Sequence, residues 1–309
     1  MSSTALGVSA FANWRQTIAG LGTELNPDYI AGTITLTAQH LDPGLNEGVR
    51  RDADLAYGSH ERHVLDVYTP ADSRSAGTAR PVVVFVHGGG FVGGAKSSDG
   101  SPFFANVGAW AVHRGYVGVA INYVLAPESP WPGGAQDISR AIAWLADNIA
   151  DYGGDPQQIV LIGQSAGAMH VADYVARPEL HGPTGRGLAG AALISCLYNI
   201  GRAADKPMHR AYWGEDLTAW QQMGTLDALI DCELPLFLAV AEFDDVAFHD
   251  HAAELVTTWY QRRGEYAPMH YLYGHNHLST VYGLGGQVDT LGPLLEQYIS
   301  AVLTGPGVE

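Results

Sequence analysis

The segment Gly163-Gln164-Ser165-Ala166-Gly167 follows the apolar run Ile159–Ile162 and precedes a small-residue helix reaching about Val175. A strand that turns this sharply into a helix strains its central residue and requires small neighbours. The turn lifts the Ser165 hydroxyl above the sheet, with a helix N-terminus behind it to favour developing negative charge. The chemistry on offer is nucleophilic attack on a carbonyl. The bland alternative is a strand–helix turn that needs glycine for its backbone alone. A second segment, His87-Gly88-Gly89-Gly90-Phe91, ends the run at 82–87. Three consecutive glycines cost backbone entropy, so something must require them. A phosphate cradle fits poorly: there is no G-x-x-x-x-G-K-[ST], and the nearest cation is Lys96. An oxyanion hole fits better, with the bare N–H groups of Gly89 and Gly90 joined by that of Ala166. His87, at the strand end, reads as an anchor for this loop.

A serine nucleophile needs a base, and the base needs a carboxylate to orient it. Behind the run Leu236–Ala241 lie Glu242, Asp244 and Asp245, and behind the last strand lies Gly274-His275-Asn276-His277-Leu278-Ser279. Asp244 is selected as acid over Asp245, and His277 as base over His275. A neighbouring Asp or His could equally be a satisfied surface residue. Acid and base then sit at the carboxyl ends of strands, where open α/β sheets place their ligands. A metal site is not expected. His249, Asp250 and His251 are close to Asp244–Asp245, and His60 and His63 are three apart, but no H-E-x-x-H or other recognised ligand spacing emerges.

These residues need a scaffold, and the rest of the chain supplies its pattern. Short apolar runs at 82–87, 117–122, 159–163, 189–195, 236–241 and 270–273 alternate with amphipathic stretches. Ile138, Ile142, Leu145 and Ile149 share a helix face, as do Leu255, Val256, Trp259 and Tyr260, and Leu291, Leu294, Leu295, Tyr298 and Ile299. Such alternation predicts an α/β fold: a mostly parallel central sheet with helices on both faces. His63–Tyr68 alternates and is expected as an antiparallel edge strand. Residues 1–58, with Phe11, Trp14, Ile18 and Leu21 at helical spacing, and residues 197–232, with Tyr198, Tyr212, Trp213 and Trp220, fall outside the alternation. They are read as an N-terminal cap segment and a cap insertion, on a catalytic domain at 59–309.

Composition bounds the function. The 309 residues carry 16 Lys plus Arg against 32 Asp plus Glu, a formal charge of −16. That argues against a nucleic-acid partner, which would demand clustered cations. No run approaches the roughly 18 apolar residues of a membrane span. The N-terminus lacks the basic and apolar regions of a signal peptide, and the two cysteines form neither a zinc spacing nor a disulfide framework. A cytoplasmic protein without membrane attachment is expected.

With H-G-G-G-F at 87–91, Asn122-Tyr123-Val124-Leu125-Ala126-Pro127-Glu128, and G-Q-S-A-G at 163–167, the chain resembles the hormone-sensitive-lipase-like carboxylesterases of the α/β-hydrolase superfamily over roughly residues 60–305. The resemblance implies Ser165 as nucleophile, Asp244 (in Ala-Glu-Phe-Asp, similar to the family's G-E-x-D) as acid and His277 as base. It also implies Gly89, Gly90 and Ala166 as oxyanion donors. Val124 stands where the family's Y-R-L-A-P-E has arginine, a charge whose role there is structural. The stretch Ile194-Ser195-Cys196-Leu197-Tyr198 also resembles kynurenine formamidases, which share the fold and triad but cleave an N-formyl amide.

The expected activity is hydrolysis of small carboxylic esters with no cofactor. The alternatives are an amidase or arylformamidase, and a non-catalytic binding module, whose signature would be a missing triad member. Phe91 and Gly88 on the glycine loop, with Leu197 and Tyr198, are the expected substrate contacts. For Trp14, Tyr198, Trp213 and Trp220 the competing reading is that they only pack the cap onto the body. The partner is a small ester or amide, and a homodimer is compatible with the fold.

Overall fold

A computed structural model describes residues 7–72, 79–183 and 185–304. The strands are β1 (Val49–Ala56), β2 (Val64–Pro70), β3 (Arg80–Val86), β4 (Val117–Ile121), β5 (Gly154–Gln164), β6 (Gly190–Ile194), β7 (Leu236–Phe243) and β8 (Met269–Asn276). The helices that matter below are α1 (Val8–Gly20), α2 (Pro27–Ala38), α3 (Ala105–His113), α4 (Gly133–Asn148), α5 (Ala166–Ala176), α6 (Pro207–Trp213), α7 (Leu226–Asp231), α8 (Val246–Arg263), α9 (Ser279–Tyr282) and α10 (Leu291–Thr304). All eight strands form one sheet in the order β1-β2-β4-β3-β5-β6-β7-β8. Every pair from β4 through β8 is parallel, and β2 is antiparallel to both β1 and β4.

The continuous apolar runs are explained by the two cores they serve. Val82, Val84 and Val86 of β3 face a cluster with Ile138 and Leu145 of α4 and Leu255 of α8, whereas Val83 and Phe85 face Trp110 of α3 and Leu295 and Ile299 of α10. Because side chains alternate along a strand, burial on both faces leaves no polar positions to reveal a period of two. All six runs are strands, and the expected helix faces are buried or half-buried except at Tyr260, which is 61% exposed.

The sheet starts earlier than the sequence suggested. The alternating segment at 63–68 is β2, which is antiparallel as expected but not at the edge; β1, inside the segment 1–58, takes that place. Charge holds β1. Asp66 on β2, fully buried, receives Lys96 Nζ at 2.7 Å, the Arg51 Nε at 2.9 Å and the Asp54 N–H at 2.9 Å. A charged strand is what an exposed edge tolerates, since it resists pairing with other chains. The charged run Arg50–Asp54 therefore belongs to a strand of the sheet, within the segment 1–58 expected as a cap.

Candidate active site

β5 ends at Gln164 and α5 begins at Ala166, so Ser165 is the whole of the turn. Its backbone lies at φ 55°, ψ −126°, a region side-chain-bearing residues rarely occupy. Two hydrogen bonds hold it there: its N–H donates to Ile194 O at 2.9 Å, and its carbonyl accepts from Met169 N at 3.1 Å. The flanking glycines are sterically obligatory. A Cβ on Gly163 would strike the Gly167 backbone, and one on Gly167 would strike the Val86 carbonyl. Along residues 159–175, Ser165 is the only residue that is not buried.

The glycine loop lies against this turn. A Cβ on Gly88 would fall 3.1 Å from the Ser165 Cβ. Gly89 (φ 137°) and Gly90 (φ 59°) occupy backbone conformations open to glycine, and a Cβ on Gly89 would collide with the Gly93 carbonyl. His87 is fully buried, stacks on Tyr123 with ring centroids 4.4 Å apart, and its Nδ1 lies 2.7 Å from the Gly88 carbonyl. Burial drives its pKa down to about 3, so it is neutral and donates that bond, holding the loop. A Cβ on Gly90 would lie 2.7 Å from the Met208 Sδ, which places the thioether of α6 over the loop.

Asp244 and His277 meet at the ends of β7 and β8. His277 Nδ1 is 2.6 Å from Asp244 Oδ1, and both residues are almost wholly buried. The second carboxylate oxygen accepts from Ser195 Oγ and from the Ala241 N–H, both at 2.7 Å. An ionised carboxylate with three short bonds is held in one orientation. The opposite ring nitrogen, His277 Nε2, is buried and has no hydrogen-bond partner among the described residues. Phe248 packs on the imidazole at a centroid distance of 4.5 Å.

The neighbouring candidates are engaged elsewhere. Asp245 caps α8, its carboxylate accepting from Ala247 N at 2.9 Å. Glu242 pairs with Arg15 and accepts from Gly274 N. His275 faces Ser279 Oγ at 3.1 Å, and burial lowers its pKa to about 4. Of the histidines weighed as metal ligands, His249 bonds the Ala241 carbonyl and His251 accepts from the N–H groups of Tyr198 and Asn199.

Three of the expected substrate contacts are buried in packing contacts. Phe91 is 1% exposed and stacks on Tyr212, with centroids 4.3 Å apart and planes 3° from parallel. Its φ of 69° turns the side chain into an aromatic cluster with His170 and Trp213. Leu197 and Tyr198 are likewise buried in the main core, and the Tyr198 carbonyl accepts from Thr225 and Leu226. All three are packing residues here. Gly88 lies beside Ser165. Trp14, Trp213 and Trp220 are also buried, so the packing reading holds for them.

Sequence reasoning missed the supporting groups. Ser195, at φ 52° just beyond β6, holds Asp244, and buried Gln164 donates to the His277 carbonyl at 2.9 Å. Neither has a local signature; only the adjacency of β5, β6, β7 and β8 brings them to their partners. A cavity of about 520 Å³ lined by Leu45, Trp110, Arg114 and Asp289 shares no residue with this group. Chemistry, rather than cavity size, locates the site.

A mostly parallel eight-stranded sheet with a serine on the β5–α5 turn, an acid after β7 and a histidine after β8 is the architecture of the α/β-hydrolase fold. Residues 65–179, which carry the glycine loop and the serine turn, match the family model described as BD-FAE. The chain is similar to Esterase LipQ of Mycobacterium tuberculosis, 38% identical over 125 residues, covering 40% of this chain and 28% of that protein. It is also similar to Liver carboxylesterase 1 of Oryctolagus cuniculus, 36% identical over 146 residues, covering 43% of this chain and 24% of the relative. The matched regions thus span about a quarter of these relatives' length. Among solved structures, Esterase B from Lactobacillus rhamnosis superposes with a TM-score of 0.72 at 17% identity, covering 95% of this chain and 97% of that one. Among the described residues no helix is long and apolar enough to cross a membrane.

Proposed function

We propose that this chain hydrolyses small carboxylic esters through an acyl-enzyme on Ser165. The observation that carries the reading is the buried Asp244–His277 pair, whose outer nitrogen has no partner among the described residues, on the sheet edge that presents the one unburied residue of the serine turn. With Nδ1–H committed to Asp244, Nε2 carries the lone pair and is the atom that can take a proton. His277 removes the Ser165 proton as Oγ attacks the carbonyl carbon. The oxyanion is held by the N–H groups of Gly89, Gly90 and Ala166, each worth roughly 3 kcal/mol in comparable sites. His277 then protonates the departing alkoxide, and water repeats the sequence on the acyl-enzyme. No step needs a cofactor. The helices α1 and α2 of the N-terminal cap segment 1–58, and the cap insertion 197–232, are read as the cap, a role supported by α1 against β8 and by Met208 against Gly90.

Esterase names among the relatives support the ester over the amide. The test is labelling by a fluorophosphonate probe together with turnover of p-nitrophenyl acetate beside N-formylkynurenine. Labelling at Ser165 with faster ester cleavage is expected. Faster formamide cleavage would favour the amidase, and an unlabelled Ser165 would favour a binding module.

The same mechanism gives Ser195 a measurable part. Ser195→Ala removes one bond to the ionised Asp244, and such bonds contribute about 1.5–3 kcal/mol. Steady-state kinetics should show kcat falling about tenfold with KM within about twofold. An unchanged kcat would mean that the Ala241 N–H alone orients the acid.

A further inference from the structure

His277 lies between elements: β8 ends at Asn276 and α9 begins at Ser279. Its main-chain groups are therefore satisfied by side chains. The carbonyl accepts from Gln164 Nε2 at 2.9 Å and Thr280 Oγ1 at 3.2 Å. The amide donates to the Tyr29 hydroxyl at 2.9 Å, across 248 residues of sequence. Tyr29 is 1% exposed, and its own N–H is capped by Asn26 Oδ1 at 2.9 Å. One turn further along α2, Thr33 Oγ1 accepts from Asn276 Nδ2 at 2.8 Å and donates to the Tyr29 carbonyl at 2.8 Å. Burial pushes the Tyr29 phenol above the usual tyrosine range, so its oxygen stays neutral near Asp244.

We propose that Tyr29 is a positioning residue for His277: its hydroxyl fixes the backbone that carries the base, so α2 completes the catalytic arrangement rather than merely covering it. The inference rests on His277 being the base. The physical ground is the cost of an orphaned N–H. A buried donor without an acceptor is penalised strongly, and a loop without regular hydrogen bonds relieves that penalty by moving. Movement at residue 277 is transmitted directly to the imidazole, and small misplacements of a catalytic group lower rates steeply. Gln164 and Thr280 hold only the carbonyl side of the same segment, so losing Tyr29 leaves the amide side of His277 unheld and free to pivot.

Tyr29→Phe removes the oxygen and keeps the ring. The rate of fluorophosphonate labelling of Ser165 and the kcat for p-nitrophenyl acetate should each fall about tenfold, with KM within about twofold. The low-field proton resonance of His277 Nδ1–H should shift or broaden. Thr33→Val weakens docking of the same helix without touching His277, and should leave kcat within about threefold of the native value. Native-like kcat and an unmoved resonance in Tyr29→Phe would overturn the proposal. So would an equal loss in Thr33→Val, since that would reduce the effect to helix docking. Should Tyr29→Phe fail to fold, 2,3-difluorotyrosine at position 29 keeps the ring and weakens the oxygen as acceptor; the same direction of change is expected, and no change in kcat counts against the proposal. Failure of the triad itself would appear separately, as turnover surviving Ser165→Ala.

Discussion

Ser165→Ala should abolish turnover of p-nitrophenyl acetate, lowering kcat by a factor on the order of 10⁴ to 10⁶, while the chain stays folded. The size of the effect follows from the site's construction. The fixed Asp244–His277 pair activates one hydroxyl, and with that atom gone it has nothing to deprotonate except water. Folding should survive because the hydroxyl makes no hydrogen bond among the described residues, while the backbone bonds to Ile194 and Met169 remain. Ser165→Gly is expected to be equally inactive but more stable, by about 1–2 kcal/mol, because φ 55° with ψ −126° is strained for any residue with a Cβ. Thermal unfolding of the two variants beside the native chain reads the strain, and the ester assay reads the chemistry. Turnover within tenfold of native in either variant would remove Ser165 from the mechanism.

Asp244→Asn is the second large effect, and the surrounding hydrogen bonds dictate its direction. Two donors, Ser195 Oγ and the Ala241 N–H, meet the same carboxylate oxygen. An asparagine satisfies both only by placing its single oxygen there, which turns its NH₂ toward His277 Nδ1. The imidazole must then accept at Nδ1 and carry its proton on Nε2, the tautomer that cannot take a proton from Ser165. A loss of kcat near 10⁴-fold is expected with KM little changed. Nitrogen-15 shifts of the His277 ring should report the exchanged tautomer. Native rates, or an unchanged tautomer, would show that Asp244 is not the group that sets it.

The serine turn and the glycine loop of the candidate site were legible because their sequence signatures are local. A strand, a turn whose glycines are sterically forced and a helix are contiguous from Ile159 to Val175, and the three glycines after His87 have no other economical explanation. The fold was legible for a related reason: strands buried on both faces read as unbroken apolar runs. β1 was not, because an edge strand is allowed to be charged and Arg51 and Asp54 are spent on Asp66 and Lys96. Phe91, Leu197 and Tyr198 were placed against substrate because an aromatic or leucine near a site looks the same whether it lines a pocket or fills a core. For Phe91 the stacking of Tyr212 favours the core, and no sequence pattern announces that contact. Ser195, Gln164 and Tyr29 act across strand neighbours or between distant segments, and no spacing in one sequence encodes such a meeting.

The clasp between the first two helices and the last loops bears on the order in which the molecule becomes competent. Trp14 Nε1 donates to the Gly274 carbonyl, Arg15 pairs with Glu242, and the buried face of α1 is completed by Val288 and Phe243. These partners are synthesised more than two hundred residues after α1, so a nascent chain carries that apolar face uncovered through most of translation. Contacts of such long separation also form late in folding, once the intervening loop has been closed. Refolding followed by burial of tryptophan and by recovery of hydrolysis should therefore separate in time. The sheet would form first, and the activity would arrive with the final docking of α1 and α2.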